Sequence, residues 1–389
     1  MTTSPLHIRR IIIAALAVCG GWFGVPRTAR AYPQWQFSAG AARCNQCHFA
    51  PAGGGPLTGH GRDAVGEELS TYAGNGAFLH GAATLPSWLT AGLDLRGALL
   101  AQNNGGPSPE RAAFPMQADL SLRAAVTDAW SATAILGYRG SARGASDPLA
   151  ADNYQPQAAS TFISREHYVM WRPTPLGYYV RAGRFFAPYG LRLAEHTSYV
   201  RRDLGFNLLE ESYALSGGFV DDTWETHLTV FGPDWLRQEG SRESGAAGLF
   251  ERRFDDATAV GVSAKAAFAE GDARYMGGIY GKAYVAPTKT LAFAEVDLVD
   301  NVVAQAAATR QLVGIAGLTW FPVRGVWIGA FGERTQTDIS VKDSATNALD
   351  GQVNWFPYPH FELILLGRVQ APAGQGTVRT ALLQGHYFL

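Results

Sequence analysis

Cysteine, lysine and long apolar runs are what this 389-residue sequence has least of. Three cysteines are too few to staple a small disulfide scaffold. Past Val25 no stretch approaches the roughly 20 apolar residues that a spanning helix requires, which excludes a helical membrane protein. Charged residues are only 17% and the formal net charge is −1, so there is no electrostatic footprint for nucleic acid, and none is expected as a partner. Disorder is excluded from the opposite side, since 47% of the residues are hydrophobic and 12% aromatic. What the sequence does have is 45 glycines, abundant aromatics and a near-neutral mean hydropathy. That balance is odd for a soluble enzyme. It suits a transmembrane β-barrel, where outward apolar residues alternate with inward polar ones.

The N-terminus reads as an export signal over residues 1–31. Arg9 and Arg10 form a positive region, Ile11 to Val25 an apolar one, and Ala29-Arg30-Ala31 a small-residue cleavage site. Cys19 follows the bulky Val18, which argues against its being a lipid-bearing cysteine. Cleavage after Ala31 leaves Cys44 and Cys47, within Cys44-Asn45-Gln46-Cys47-His48. This C-x-x-C-H pattern is that of covalent c-type haem attachment. Two thiols at this spacing can each add to a vinyl group of one haem, and the adjacent His48 can reach the iron as proximal ligand. A redox C-x-x-C would expect a βαβ pattern, and none follows. A zinc site using Cys44, Cys47 and His60 would lack a second close-spaced ligand pair.

Residues 32–87 are therefore read as a monohaem cytochrome c segment. They contain no Met, so the distal iron ligand within the segment falls to His60 or His80, with His60 preferred. His60 follows the glycines Gly53 to Gly55 and Gly59, which permit sharp turning beside a flat cofactor. His196, or an open position, is the alternative. The segment is near the lower size limit for an independent fold, so either haem forms its core or it docks in a larger body.

Residues 88–389 read as paired strands. Period-two alternation recurs in about sixteen segments, for example Leu93, Leu95, Gly97 and Leu99, or Val326, Ile328 and Ala330. Each is near the 9–11 residues of a tilted outer-membrane strand, and an even number closes an antiparallel barrel with both termini on one side. Links alternate in length. Thr127-Asp128, Asp221-Asp222, Asp255-Asp256 and Pro287-Thr288 are tight, whereas 102–114, 140–160, 188–210 and 233–244 are long. Short turns belong on the periplasmic side and long loops outside. Trp171-Arg172-Pro173, Trp320-Phe321-Pro322 and Trp355-Phe356-Pro357 place aromatics just before turns, as in an interfacial girdle. Gly385, Tyr387 and Leu389 share one face of a terminal strand.

An export signal, one C-x-x-C-H segment and then a barrel resembles the fused monohaem cytochrome–porins of the bacterial outer membrane, whose best-known members are extracellular ferrous-iron oxidases. Phe49, Pro51, Leu57 and Gly61-Arg62 match the residues that follow the haem motif in that family. Ala50 stands where the family has Gln, and the glycine triplet intervenes. The resemblance implies one haem c and an iron-oxidising, electron-transferring role. Its implied partners are outer-membrane lipid, an extracellular donor such as ferrous iron, and a periplasmic c-type cytochrome. An apolar band about 25 Å tall gives the same role physically, because a haem lodged in the lumen lies within electron-transfer reach of both faces. A haem-stabilised pore for small solutes, and a barrel-anchored cytochrome that docks a periplasmic partner, are the other classes. In the loop 188–210, Arg192, Arg201 and Arg202 can fold inward to haem propionates, or Glu195, His196 and Asp203 can offer ligands to a metal substrate. The third option is a solvated loop of local ion pairs.

Overall fold

The computed structural model describes residues 43–106, 108–138, 162–195, 197–206, 210–235, 242–304 and 306–389. The export signal and His196 lie outside the described residues. Alternating segments become sixteen strands: β1 Leu89–Asn103, β2 Glu110–Ala125, β3 Trp130–Tyr138, β4 Phe162–Trp171, β5 Gly177–Phe185, β6 Ser212–Val220, β7 Trp224–Gly232 and β8 Ser244–Arg253. There follow β9 Thr258–Ala269, β10 Asp272–Val285, β11 Thr290–Val303, β12 Thr309–Val323, β13 Val326–Gln336, β14 Ala345–Trp355, β15 Phe361–Pro372 and β16 Val378–Phe388. Every neighbour is antiparallel, and β1 pairs with β16 from Asp94↔Phe388 to Asn103↔Arg379, which closes the barrel. β2 begins at Glu110, inside the stretch 102–114 read from the sequence as a long link. That region of weak alternation is held by its pairing with β1, through a register shift at Arg96/Gly97.

The barrel is inside out relative to a soluble protein. Leu228, Leu349 and Ile279 are 67%, 65% and 55% exposed on its outer face, whereas Glu251, Asp297 and Arg184 are fully buried on the inner one. From Trp327 to Thr335 on β13 and from Asn347 to Trp355 on β14 buried and exposed residues alternate strictly, the pattern of a strand with two different solvents on its two sides. An outer face of this composition is stable only against lipid. Trp88, Trp130, Trp224, Trp320, Trp355 and Tyr358 are exposed at the short-turn end, and Tyr213, Phe268 and Tyr275 at the other. These are the two aromatic girdles, with the apolar band between them. One link at the long-loop end is short: β9 and β10 are joined by Glu270-Gly271 alone, with Gly271 at φ 79°.

Two further parts fill the lumen. Residues 43–88 carry two short helices, α1 Cys44–Cys47 and α2 Gly59–Ala64, then a π-turn at Val65–Leu69 and a 3₁₀ turn at Phe78–Gly81. The link between β5 and β6 carries α3, Tyr199–Arg202. Ala64, Val65 and Leu69 join Tyr189, Leu191, Tyr199 and Leu204 in one apolar cluster with inward residues of β8 and β10–β14.

Candidate functional site

The C-x-x-C-H residues sit in a folded turn. His48 N–H donates to the Cys44 carbonyl at 2.9 Å, and His48 forms an isolated antiparallel bridge with Leu57. Phe49 N–H donates to Pro56 O and Thr58 N–H to Cys47 O, so the chain doubles back at Gly53-Gly54-Gly55. These three have φ of 88°, 79° and 64°, a run that side chains would strain, and this explains the triplet. Thr58 caps α2 by accepting from Gly61 N–H at 3.1 Å. Gly61 lies where α2 crosses α1, and a Cβ there would stand 2.4 Å from Cys47 O.

This segment lies in the short-turn mouth of the barrel. Asn45 Nδ2 donates to Pro175 O at 2.8 Å, and Arg43 pairs with Asp222. The guanidinium of Arg123 on β2 lies 4.1 Å from the Phe49 ring centroid. Thr71 and Tyr72 N–H donate to Phe356 and Pro357 carbonyls, Arg324 donates to Ser70 and Gly66 carbonyls, and His360 Nε2 is 2.8 Å from Gly76 O.

Cys44, Cys47 and His48 are all buried. Burial pushes the Cys44 thiol up and the Cys47 thiol up to about 12, with the Cys44 and Glu68 charges adding to the latter. Burial pushes His48 down to about 4, against the opposing effect of hydrogen bonds to the Gly55 and Gly54 backbone. Cys47 and His48 line a lumen cavity of about 350 Å³. Its near wall is small and apolar (Gly53 to Gly55, Gly61, Ala64), while the barrel supplies Asp94, Arg96, Arg165, Arg181 and His386. Both thiols are free. A buried C-x-x-C-H turn whose Cys47 and His48 line a cavity faced by glycines fits a covalently held haem on that side, while Cys44 is buried without being among the cavity's lining residues.

The two distal-ligand expectations fare differently from the motif. α2 buries Gly61 and Ala64 against its neighbours, so His60, one helical step away, projects outward and is exposed; it does not line the cavity. His80 is exposed too, with Nε2 3.2 Å from Tyr387 Oη and its ring against His360. The structure thus brings Cys44, Cys47 and His48 together and leaves His60 and His80 apart from them.

The described parts of the β5–β6 link, 186–195, 197–206 and 210–211, fold into the lumen. Leu191 N–H donates to Glu295 Oε2, Tyr189 Oη to Asp297 Oδ1 and Tyr199 N–H to Glu333, while Gln370 Nε2 donates to Tyr199 Oη. It is a crossbar pinned by carboxylates of the opposite wall. Within it Arg202 pairs with Asp203 at 2.7 Å and Arg201 donates to Leu193, Ala194 and Phe206 carbonyls, the local pairing of the third reading. Arg192 reaches further, to Glu225 at 2.8 Å and to Ala52 O. Among the described residues no group of three or more His, Cys, Asp and Glu is placed to hold a metal ion. Arg181 and His386 were not singled out by sequence reading. The only available signal was a polar residue at an inward position of an alternating strand.

A closed sixteen-strand antiparallel barrel with an apolar exterior and a narrowed, charged lumen has the fold of outer-membrane porins. No family model matches the chain, and no curated protein does. Solved structures do match. OmpT of Vibrio cholerae, expressed in the outer membrane, is similar at TM-score 0.58 and 9% identity over 79% of this chain and 99% of that one. Pseudomonas putida OprB gives 0.58 and 9% over 77% and 94%, and the anion-selective porin from Comamonas acidovorans 0.56 and 10% over 77% and 99%. At these identities the likeness is one of fold.

Proposed function

We propose that this porin-type barrel is an outer-membrane electron conduit that holds one covalent c-type haem inside its lumen. The observation that carries this reading is the burial of the C-x-x-C-H turn against a lumen cavity, within the barrel mouth rather than on a tether. Cys44 and Cys47 would form the thioethers and His48 the proximal bond; His60 is not supported as distal ligand by its exposure. When bound, the group supplies a one-electron redox centre between the two faces of the membrane. The chain's own part is to fix His48 by its backbone N–H bond to the Cys44 carbonyl, to exclude water with Leu57, Val65 and Leu69, and to surround the cavity with charged side chains. The physiological donor in this reading is extracellular, ferrous iron by resemblance, and the acceptor a periplasmic c-type cytochrome.

The second reading is a pore for small solutes. The fold comparisons bear on it more directly, because the similar structures include an outer membrane channel of Acinetobacter baumannii and the anion-selective porin. One experiment separates the two. Liposomes carrying the protein and enclosing oxidised cytochrome c are given an external ferrous chelate. The conduit reading expects reduction inside, lost in Cys44→Ala/Cys47→Ala. Free ion passage in planar bilayers with no interior reduction would replace it with the pore reading.

A further inference from the structure

Residues 71–88, the strap that leads from the lumen segment to β1, are built unlike most of the short-turn end. From Thr71 through Leu93 the chain holds no Asp, Glu, Lys or Arg. Other links at this end do carry charge: Asp128 between β2 and β3, Arg172 between β4 and β5, Asp221 between β6 and β7, Asp255 between β8 and β9, Lys289 between β10 and β11, and Arg324 between β12 and β13. The β14–β15 link, Phe356 to His360, is as free of charge, and rings of the strap lie on it. Tyr72 and Tyr358 have ring centroids 5.4 Å apart, and His80 and His360 5.2 Å. A Cβ on Gly74 would stand 3.1 Å from Pro359 Cγ. The two links thus form one uncharged surface, on which Tyr72, Leu79, Trp88 and Tyr358 are 56%, 41%, 54% and 59% exposed. A contiguous patch of this kind marks an interaction site.

The tip of the strap is held in a costly shape. Leu79 and His80 have φ/ψ of 47°/40° and 55°/27°, left-handed backbone that residues with side chains adopt against strain. Asn75 enforces the turn: its Oδ1 accepts from Ala77 N–H at 2.8 Å, and its Nδ2 donates to the His80 carbonyl at 3.2 Å. Phe78 is kept beneath the Arg62 guanidinium, 5.6 Å from its ring centroid, while Leu79 is left in the open. His80 Nε2 then lies 3.2 Å from Tyr387 Oη. Tyr387 shares the outward face of β16 with Leu383, since the alternate residues Gln384, His386 and Phe388 are buried. The tip therefore stands beside the lipid-facing wall, continuous with the aromatic girdle of the short-turn end. A soluble partner would meet the mouth of the barrel; this surface adjoins the apolar band instead.

We propose that the strap is an interfacial anchor, with Leu79 at its tip seated among the phospholipid headgroups and upper acyl chains of the periplasmic leaflet. Aromatic and small uncharged residues suit that depth, where charged ones would hold the strap in water. The anchor tethers the lumen segment to the membrane as well as to the barrel, whether or not Cys44 and Cys47 carry haem.

The test uses the full mature chain in phospholipid nanodiscs, which leave both faces open to solution. A coumarin-bearing amino acid is introduced by codon reassignment at Leu79, at Asp255 as the aqueous reference and at Leu349 as the lipid-facing one. Quenching is measured with phosphatidylcholine carrying a nitroxide near its headgroup, and with iodide in the buffer. The expected result at Leu79 is strong quenching by the lipid nitroxide and protection from iodide relative to Asp255. In parallel, Leu79→Asp should speed proteolytic cleavage within 43–88 about fivefold, the loss of a half-buried leucine contact, and Leu79→Met should leave it unchanged. If Leu79→Asp fails to show the heat-modifiable mobility of a folded barrel, the quenching decides alone. Iodide quenching at Leu79 equal to that at Asp255, with none by lipid, refutes the anchor. Protection from iodide that appears only on addition of a soluble cytochrome c refutes it too, and makes the surface a protein dock.

Discussion

Gly61→Ala should loosen the C-x-x-C-H turn from α2 while leaving the barrel intact. An ideal Cβ at Gly61 would lie 2.4 Å from Cys47 O and 3.0 Å from the Cys47 carbonyl carbon and Cα. All three are backbone atoms, so no side chain can rotate away, and α2 must retreat by about 1 Å to reach ordinary contact. Overpacking of this kind costs about 1–3 kcal/mol, set against a helix-propensity gain of about 0.5–1 kcal/mol for replacing glycine. At mid-range the net loss is about 1 kcal/mol, or roughly 5-fold in the population of the opened segment. Gly59→Ala on the same helix is the control, since a Cβ there meets nothing within 4 Å. Limited proteolysis of folded barrels reads the difference, as cleavage within 43–88 tracks the open population when reclosing is fast. The expected result is faster cleavage for Gly61→Ala, a wild-type rate for Gly59→Ala, and unchanged barrel mobility for both. Equal protection of the two variants would refute the packing argument.

Three other outcomes follow from the geometry. Leu349→Arg, at an exposed outer position in the middle of β14, should destabilise the barrel in bilayers by about 2–4 kcal/mol, measured by urea titration in vesicles; a loss below ~1 kcal/mol would place that face away from lipid. His360, fully buried at the β14–β15 turn, is held below its ordinary pKa by burial, against its bond to Gly76 O. A group depressed in the docked state stabilises docking above its free pKa of about 6.5 and loses that contribution as pH falls through the docked value. Proteolytic sensitivity of 43–88 should therefore rise on acidification below about pH 6.5, less so in His360→Gln, and a flat profile would remove His360 from the linkage. Cysteines placed at Asn104 or Ser340 should react with an impermeant reagent on whole cells, those at Asp255 or Tyr358 should not, and equal reaction would overturn the sidedness.

Much of the barrel was legible in the sequence because a strand between lipid and lumen writes its two environments into alternate residues. Residues 326–336 need no partner to declare that Ile328 faces one solvent and Glu333 another. The C-x-x-C-H motif and the glycine triplet were legible for a related reason: their geometry is set within ten residues by local backbone bonds. Tertiary structure alone decided the rest. Loop 188–210 advertises its charges, and its local Arg202–Asp203 pair is visible in sequence, but its inward course depends on Glu295, Asp297 and Glu333, each more than 100 positions away. His60 looked like a ligand because it follows glycines; which side of α2 faces α1 was decided by Gly61 packing on Cys47. Local periodicity records which solvent a residue meets, and only closure of the barrel determines which residues meet one another.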